Sequence, residues 1–203
     1  MDKKTIAQIG SRVLAKEAEA LYELSKTLYS SGFCEAVNLI DASTGHVIII
    51  GVGKSGHIGR KISSSLSSIG TPSFFIHPTE AKHGDLGMIT ANDIVIMISF
   101  SGKTEELMEL LPHLKLRRIP LIAITGNSRS PLAENVDISL SFSIKGEACA
   151  FDMVPTVSAS ATLALGDALA IVLMELSGFS PQDFSRNHPS GTLGKRLATR
   201  VPG

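Results

Sequence analysis

Residues 47–59 read Val47-Ile48-Ile49-Ile50-Gly51-Val52-Gly53-Lys54-Ser55-Gly56-His57-Ile58-Gly59. Four β-branched residues run without a break into a glycine-rich turn, and from Ser55 onward the pattern is helical. An unalternating apolar run predicts a strand covered on both faces. Glycines in the turn permit a sharp bend and close backbone approach to a ligand, and the free amides at the helix start favour an anion. The same texture recurs in SFFI at 73–76, IVIMIS at 94–99 and LIAIT at 121–125, with a weaker strand at 137–144, DISLSFSI. Helical stretches of about 10 to 15 residues are expected between the strands, as parallel crossovers require. The alternation predicts an α/β fold of three layers: a five-stranded parallel sheet of order 2-1-3-4-5 with helices on both faces.

Outside these runs, residues 6–32 carry Ile6, Ile9, Val13, Ala20, Leu21, Leu24 and Leu28 at helical spacing, interrupted at Glu17. A second helix is expected over 34–39. Residues 156–176 form an Ala-rich run, apolar on nearly every face, that is expected to be buried in the core or against another subunit. The stretch 188–200 reads as a loop entering a short helix. With 203 residues and no linker or repeat, the chain is expected to be a single domain. Lys plus Arg and Asp plus Glu number 19 each, so no overall field exists to hold a polyanion, and any anion site is local. The absence of Trp and the presence of only two Tyr remove stacking platforms for bases, so no nucleic-acid partner is expected. Cys34 and Cys149 have the neighbours of neither a metal site nor a redox pair and are expected to be buried or incidental thiols. No apolar run is read as reaching the roughly 18 residues of a membrane span, and the N-terminus lacks a signal-peptide centre, so a cytoplasmic protein without a membrane partner is expected.

Gly51, Gly53 and Gly56 satisfy G-x-G-x-x-G, which raises dinucleotide binding. The acidic residue that anchors a ribose about 20 positions on is replaced by His77-Pro78. A Walker loop ending in Gly53-Lys54-Ser55 needs glycine at 48, where Ile48 stands. Both nucleotide readings fail. After the third strand, Ser99-Phe100-Ser101-Gly102-Lys103-Thr104-Glu105-Glu106 opens another helix. Its hydroxyls could merely cap that helix. They could also donate, with the helix-start amides, to one phosphate. In a 2-1-3-4-5 sheet the first and third strands are neighbours, and the crevice at their C-terminal ends is where ligands bind, so both bends face one site.

G-x-G-K-S after the first strand and S-x-S-G-x-T-x-E after the third resemble the sugar isomerase (SIS) domain, a family of phosphosugar binders. Gly51 to Gly59, His77-Pro78, His83 to Gly87, Thr125-Gly126, Glu147-Ala148-Cys149, Pro155-Thr156, Gly166-Asp167-Ala168 and His188-Pro189 follow in the order seen in D-arabinose 5-phosphate isomerases. The resemblance covers about residues 6 to 200. It implies reversible interconversion of D-ribulose 5-phosphate and D-arabinose 5-phosphate through an enediol, supplying Kdo for lipopolysaccharide or capsule. That chemistry needs a base, a donor to the developing oxyanion, a phosphate anchor and exclusion of water, and no cofactor.

By the same resemblance, Ser55, Ser99, Ser101 and Thr104, with the Gly53 bend, hold the phosphate, and Lys54 is the cation beside the sugar oxygens. Glu147 is favoured as base and Glu106 as its hydrogen-bonding or shuttling partner, with Glu105 facing solvent. His83, with Asp85, positions sugar hydroxyls. His188 opens the ring or moves the proton between oxygens, and in related isomerases its segment enters a neighbouring subunit's site. A homo-oligomer, expected to be a tetramer, follows, with no required metal. The family's usual HPGG appears as His188-Pro189-Ser190-Gly191, and Lys103 stands where glutamate or another polar residue is common. Many relatives continue into paired CBS domains, whereas this chain stops at Gly203; it is read as a short form or a cut piece, one SIS domain over 1–203. Control is then expected at the active site, by a later product such as CMP-Kdo. Two rivals stay open: a silent phosphosugar-sensing module, which needs the hydroxyls but no base, and another SIS isomerase for a phosphoheptose or a hexulose phosphate.

Overall fold

In the computed structural model, which describes residues 1–30 and 32–190, five parallel strands form one sheet of order β2-β1-β3-β4-β5. The strands are β1 (Val47–Gly51), β2 (Ser73–Ile76), β3 (Ile94–Ile98), β4 (Leu121–Thr125) and β5 (Ile138–Ser141). The helices are α1 (Lys3–Thr27), α2 (Phe33–Asp41), α3 (Gly53–Ser68), α4 (Pro78–Lys82), α5 (Glu105–Leu116), α6 (Val157–Leu176) and α7 (Pro181–Asn187). Fold class and strand order are those the apolar runs predict. Because side chains alternate along a strand, Ile49 of β1 faces one core with α1, α2, α3 and α6, while Ile48 and Ile50 face a second core with α4 and α5.

The register fixes the site. Val47 pairs with Ile94 and Gly51 with Ile98, so β1 and β3 end level with one another. Their lower ends are fastened by Asp93, which is 1% exposed. It accepts from the backbone N–H of His46 at 2.7 Å and from the N–H and hydroxyl of Thr90 at 2.6 and 2.9 Å. Burial pushes this carboxyl up, and the hydrogen bonds from His46 and Thr90 outweigh it, holding Asp93 below the ordinary carboxylate range.

Several expectations are corrected. The β2–β3 connection carries only the five-residue α4 and a 3₁₀ turn at Asp85–Met88, because Gly84 (φ 133°) interrupts any longer helix. Between β4 and β5 there is only a 3₁₀ turn at Ala133–Asn135. Helix α1 starts at Lys3, where the Asp2 side chain caps it by accepting from the Thr5 N–H at 2.7 Å. Of its apolar stripe only Leu24 is buried, and Ile6 and Ile9 are exposed. Cys34 is exposed and Cys149 half-buried. By length and composition α6 does reach a membrane span, with 20 residues and mean hydropathy 1.8. It packs against α1, α2 and α3, and half of that window is buried, as in the core helix of a globular fold. The expected helix within 188–200 lies, beyond Ser190, outside the described residues.

Candidate active site

Both predicted bends leave the same edge of the sheet, side by side. The first passes from Gly51 through Val52 into α3. Gly53 is the first residue of that helix and has φ 56°, a left-handed conformation that a β-carbon would strain. Lys54 is exposed and Ser55 half-buried at the helix start. In the second bend the Ser99 hydroxyl lies 2.7 Å from that of Thr104 and 3.5 Å from that of Ser101. Ser99 itself is 2% exposed and also accepts from the Gly102 N–H at 3.0 Å. Gly102 has φ 63°, and a β-carbon there would fall 2.0 Å from the Ser130 hydroxyl, so the bend tolerates no side chain. The Gly126 N–H donates to the Phe100 carbonyl and the Leu132 N–H to that of Gly102, bracing the bend from the β4–β5 loop. Three hydroxyls are thus gathered at the start of α5, where the amides of a first turn face outward and favour an anion.

A cavity of about 660 Å³ opens beside the first bend. Lys54 and Ser55 line one wall; Lys145, Glu147, Asp152 and Ser158 line another. Glu147 lies in the segment joining β5 to α6 and is 8% exposed. Its carboxylate spans the start of α6. The Ser158 hydroxyl donates to one oxygen. The other accepts from the Thr156 N–H at 2.8 Å, the Thr156 hydroxyl at 3.0 Å and the Ser158 N–H at 3.3 Å. Burial raises its pKa, but the Ser158 and Thr156 donors prevail, and Glu147 is held below the ordinary carboxylate range. The group is therefore ionised at neutral pH, the form in which a base must start. Asp152, in a left-handed conformation at φ 55°, accepts from the Glu147 N–H. The Cys149 thiol accepts from the N–H groups of Met153 and Val154, each at 3.2 Å, which closes the turn carrying Asp152. The N–H of Val154, then that of Met153, holds this thiol below its usual range.

The other candidates are placed as follows. Glu106 is half-buried in the first turn of α5, outside the lining of this cavity, and Glu105 is exposed. His83 caps the C-terminus of α4 and is exposed, one strand over from the first bend. His188 ends α7, where its ring stacks on Phe184 at 4.0 Å and its Nδ1 lies 2.9 Å from the Phe184 carbonyl oxygen. A carbonyl only accepts, so Nδ1 carries the proton and Nε2 keeps the lone pair in the neutral ring. The adjacent Asn187 side chain donates to the Ser68 carbonyl at 3.2 Å, which ties this segment to the end of the 16-residue α3. That end is roughly 22 Å, at 1.5 Å per residue, from the Gly53 bend. The structure brings Lys54, Ser55 and Glu147 together and gathers Ser99, Ser101 and Thr104 alongside, but it leaves His188 far from its own chain's crevice. Sequence reasoning missed Asp152, Thr156 and Ser158. Their signal was the density of polar groups in an otherwise apolar approach to α6, which by itself reads as capping. Among the described residues no three His, Cys, Asp or Glu side chains are grouped to hold a metal.

Two hydroxyl-bearing bends at the carboxyl edge of a 2-1-3-4-5 sheet, with a carboxylate across the crevice, define the class to which this architecture belongs. The SIS domain model matches residues 39–172, and the chain belongs to that family. It is 52% identical over 190 residues to arabinose 5-phosphate isomerase KpsF of Escherichia coli, an alignment covering 94% of this chain and 58% of that protein. Arabinose 5-phosphate isomerase KdsD of Pseudomonas aeruginosa is 47% identical over the same shares of each chain. The chain thus spans somewhat over half the length of these curated relatives. Among solved structures, E. coli CFT073 c3406 in complex with arabinose 5-phosphate superposes with a TM-score of 0.90 at 39% identity, covering 93% of this chain and all of that one.

Proposed function

We propose that this chain is an aldose-ketose isomerase interconverting D-ribulose 5-phosphate and D-arabinose 5-phosphate for Kdo synthesis. The observation that carries the reading is the pair of level bends, with the Glu147 carboxylate and Lys54 lining one crevice. The names of the relatives and the sugar phosphate in a superposable structure support it.

The phosphate is held by Ser55, Ser99, Ser101 and Thr104 with the amides of two helix starts. From the ketose, Glu147 removes a proton on C1, giving an enediolate whose charge Lys54 faces, and returns it to C2. The hydroxyl proton passes from the oxygen on C1 to that on C2, with Glu106 as hydrogen-bonding partner and His188 Nε2 as carrier. His83 positions the sugar hydroxyls. Because His188 lies at the far end of α3, the histidine in a given crevice comes from a second copy, and a tetramer formed through α1 and α6 is the assembly that supplies it. Their exposed Ile6, Ile9, Leu14 and Ile171 support that choice. The chain acts as one SIS unit in the cytoplasm. The crevice has room beyond a pentose phosphate, and a later product such as CMP-Kdo competes there; inhibition not relieved by ribulose 5-phosphate removes this last element. The test of the whole is NMR of ribulose 5-phosphate with the protein in heavy water. Appearance of arabinose 5-phosphate carrying deuterium at C2 is expected. Binding without exchange or product overturns catalysis and leaves a sensor.

A further inference from the structure

In the segment leading to Glu147, Ile144 packs against the first core, while Lys145, Gly146 and Glu147 add no apolar side chain to either. The cavity in front of it is the crevice, and behind it lies a second cavity of about 460 Å³ against α1, so that Ser143, Ile144, Lys145 and Gly146 form a wall with space on both sides. Close packing is what normally fixes a backbone to within a fraction of an ångström. Beyond Ile144, polar ties take over that task. Two come from α1, more than a hundred residues away in sequence. The Lys16 Nζ donates to the Glu147 carbonyl oxygen at 2.5 Å, and Glu19, three residues on and therefore on the same helix face, accepts from the Lys145 Nζ at 2.6 Å. The Lys145–Glu19 pair is 77% and 51% exposed, a setting in which ion pairs contribute little. The Lys16 bond is half-buried and reaches the backbone of the residue that matters.

We infer that Lys16 is a positioning residue for Glu147, holding its main chain from behind so that the carboxylate stays seated on the start of α6 and aimed into the crevice. The inference rests on the role proposed above for Glu147. Lys16 bears on Glu147 through the carbonyl. Among the described residues, the other charged groups near it are Lys54 and Lys145 on the crevice walls, Asp152 on its own N–H, and Glu19 and Glu23 on α1 along the rear cavity. Without Lys16 the segment can slip into the rear cavity, the bonds from Thr156 and Ser158 lengthen, and the carboxylate becomes harder to ionise. The phosphate-holding bends lie on other elements and are untouched.

The test compares Lys16→Met, Lys16→Arg and Glu147→Gln in the full chain. Lys16→Met is expected to lower kcat about tenfold or more. Its KM and its affinity for inorganic phosphate are expected to stay within about twofold, and the acid limb of its kcat profile to move to higher pH. Lys16→Arg, which also donates to a carbonyl, restores both. A Lys16→Met enzyme with normal kcat and an unmoved acid limb overturns the inference, as does a Lys16→Arg enzyme no better than Lys16→Met. Should Lys16→Met fail to fold, as judged by circular dichroism, Lys16→Leu, which likewise has no donor, carries the same comparison, with the same outcomes decisive. An active Glu147→Gln enzyme sinks the reading of Glu147 itself. An inactive Glu147→Gln beside an unimpaired Lys16→Met sinks the role of Lys16 alone.

Discussion

Asp93 offers the sharpest separation of what builds the site from what works in it. The Asp93→Ala variant removes an acceptor buried to 1% exposure from two backbone N–H groups and a hydroxyl, and leaves those donors facing a small void. Hydrogen bonds to a charged group are worth about 1.5–3 kcal/mol each, but the three share one carboxylate and water will reach some of the freed donors, so a loss of about 3–5 kcal/mol is expected. For a domain of this size each kcal/mol lowers the melting temperature by about 2–4 °C, which gives a drop of roughly 6–20 °C. Asp93→Asn keeps one oxygen and should lose about half as much. The sign with pH follows from the depressed carboxyl. Its stabilisation is complete above the unfolded Asp value of about 3.9 and disappears as pH falls through the lower folded value. The stability gap between wild type and variant therefore narrows only as pH falls below the ordinary Asp range. Asp93 sits at the opposite end of β3 from the second bend, about 20 Å away over the six residue steps to Ser99 at 3.3 Å each. Well below its melting point the variant should keep kcat/KM within about twofold. Calorimetry at several pH values with parallel kinetics tests this. A melting temperature unchanged at pH 7, or a kcat loss greater than tenfold in the folded variant, refutes the assignment of Asp93 to register alone.

The crevice chemistry yields further expectations. Glu147→Gln should abolish turnover while arabinose 5-phosphate still binds, and Ser101→Ala should chiefly raise KM, a split that steady-state kinetics and calorimetric titration resolve. Because Glu147 is held below the ordinary range, its carboxyl, followed by NMR titration of the free protein, should protonate only below the usual Glu value of about 4.3; protonation above that range contradicts the hydrogen bonds described. If His188 serves a neighbouring copy, refolding a mixture of inactive Glu147→Gln and His188→Asn chains should regain activity, whereas each chain alone stays silent.

The parallel sheet was legible because residues buried on both faces leave unbroken β-branched runs: Val47 to Ile50, Ile94 to Ile98 and Leu121 to Ile124 are all essentially inaccessible. The crossovers were less so. A β2–β3 link can be met by Pro78 starting a helix that Gly84 interrupts, a solution that helical periodicity does not anticipate. The site divided in the same way. Ser55, Ser99, Ser101 and Thr104 sit at fixed offsets from a strand end and could be read in order, while Lys16, Asp152, Thr156 and Ser158 act on Glu147 through contacts made only once α1 and α6 are folded together. His188 posed the opposite problem. Its motif was visible and the resemblance assigned its segment to a neighbouring copy's site, but its place at the far end of α3 emerges only from the fold.

The fastening of Glu147 to the first turn of α6 has a consequence for anyone redesigning this protein. Reactive groups are commonly tolerated at a cost in stability, and deleting them often hardens a fold. Here the reverse is expected: the carboxylate proposed as the base also closes the end of a central helix, so truncating Glu147 should soften the scaffold as well as silence it. Laboratory evolution toward heat resistance would then retain this glutamate even without selection for turnover.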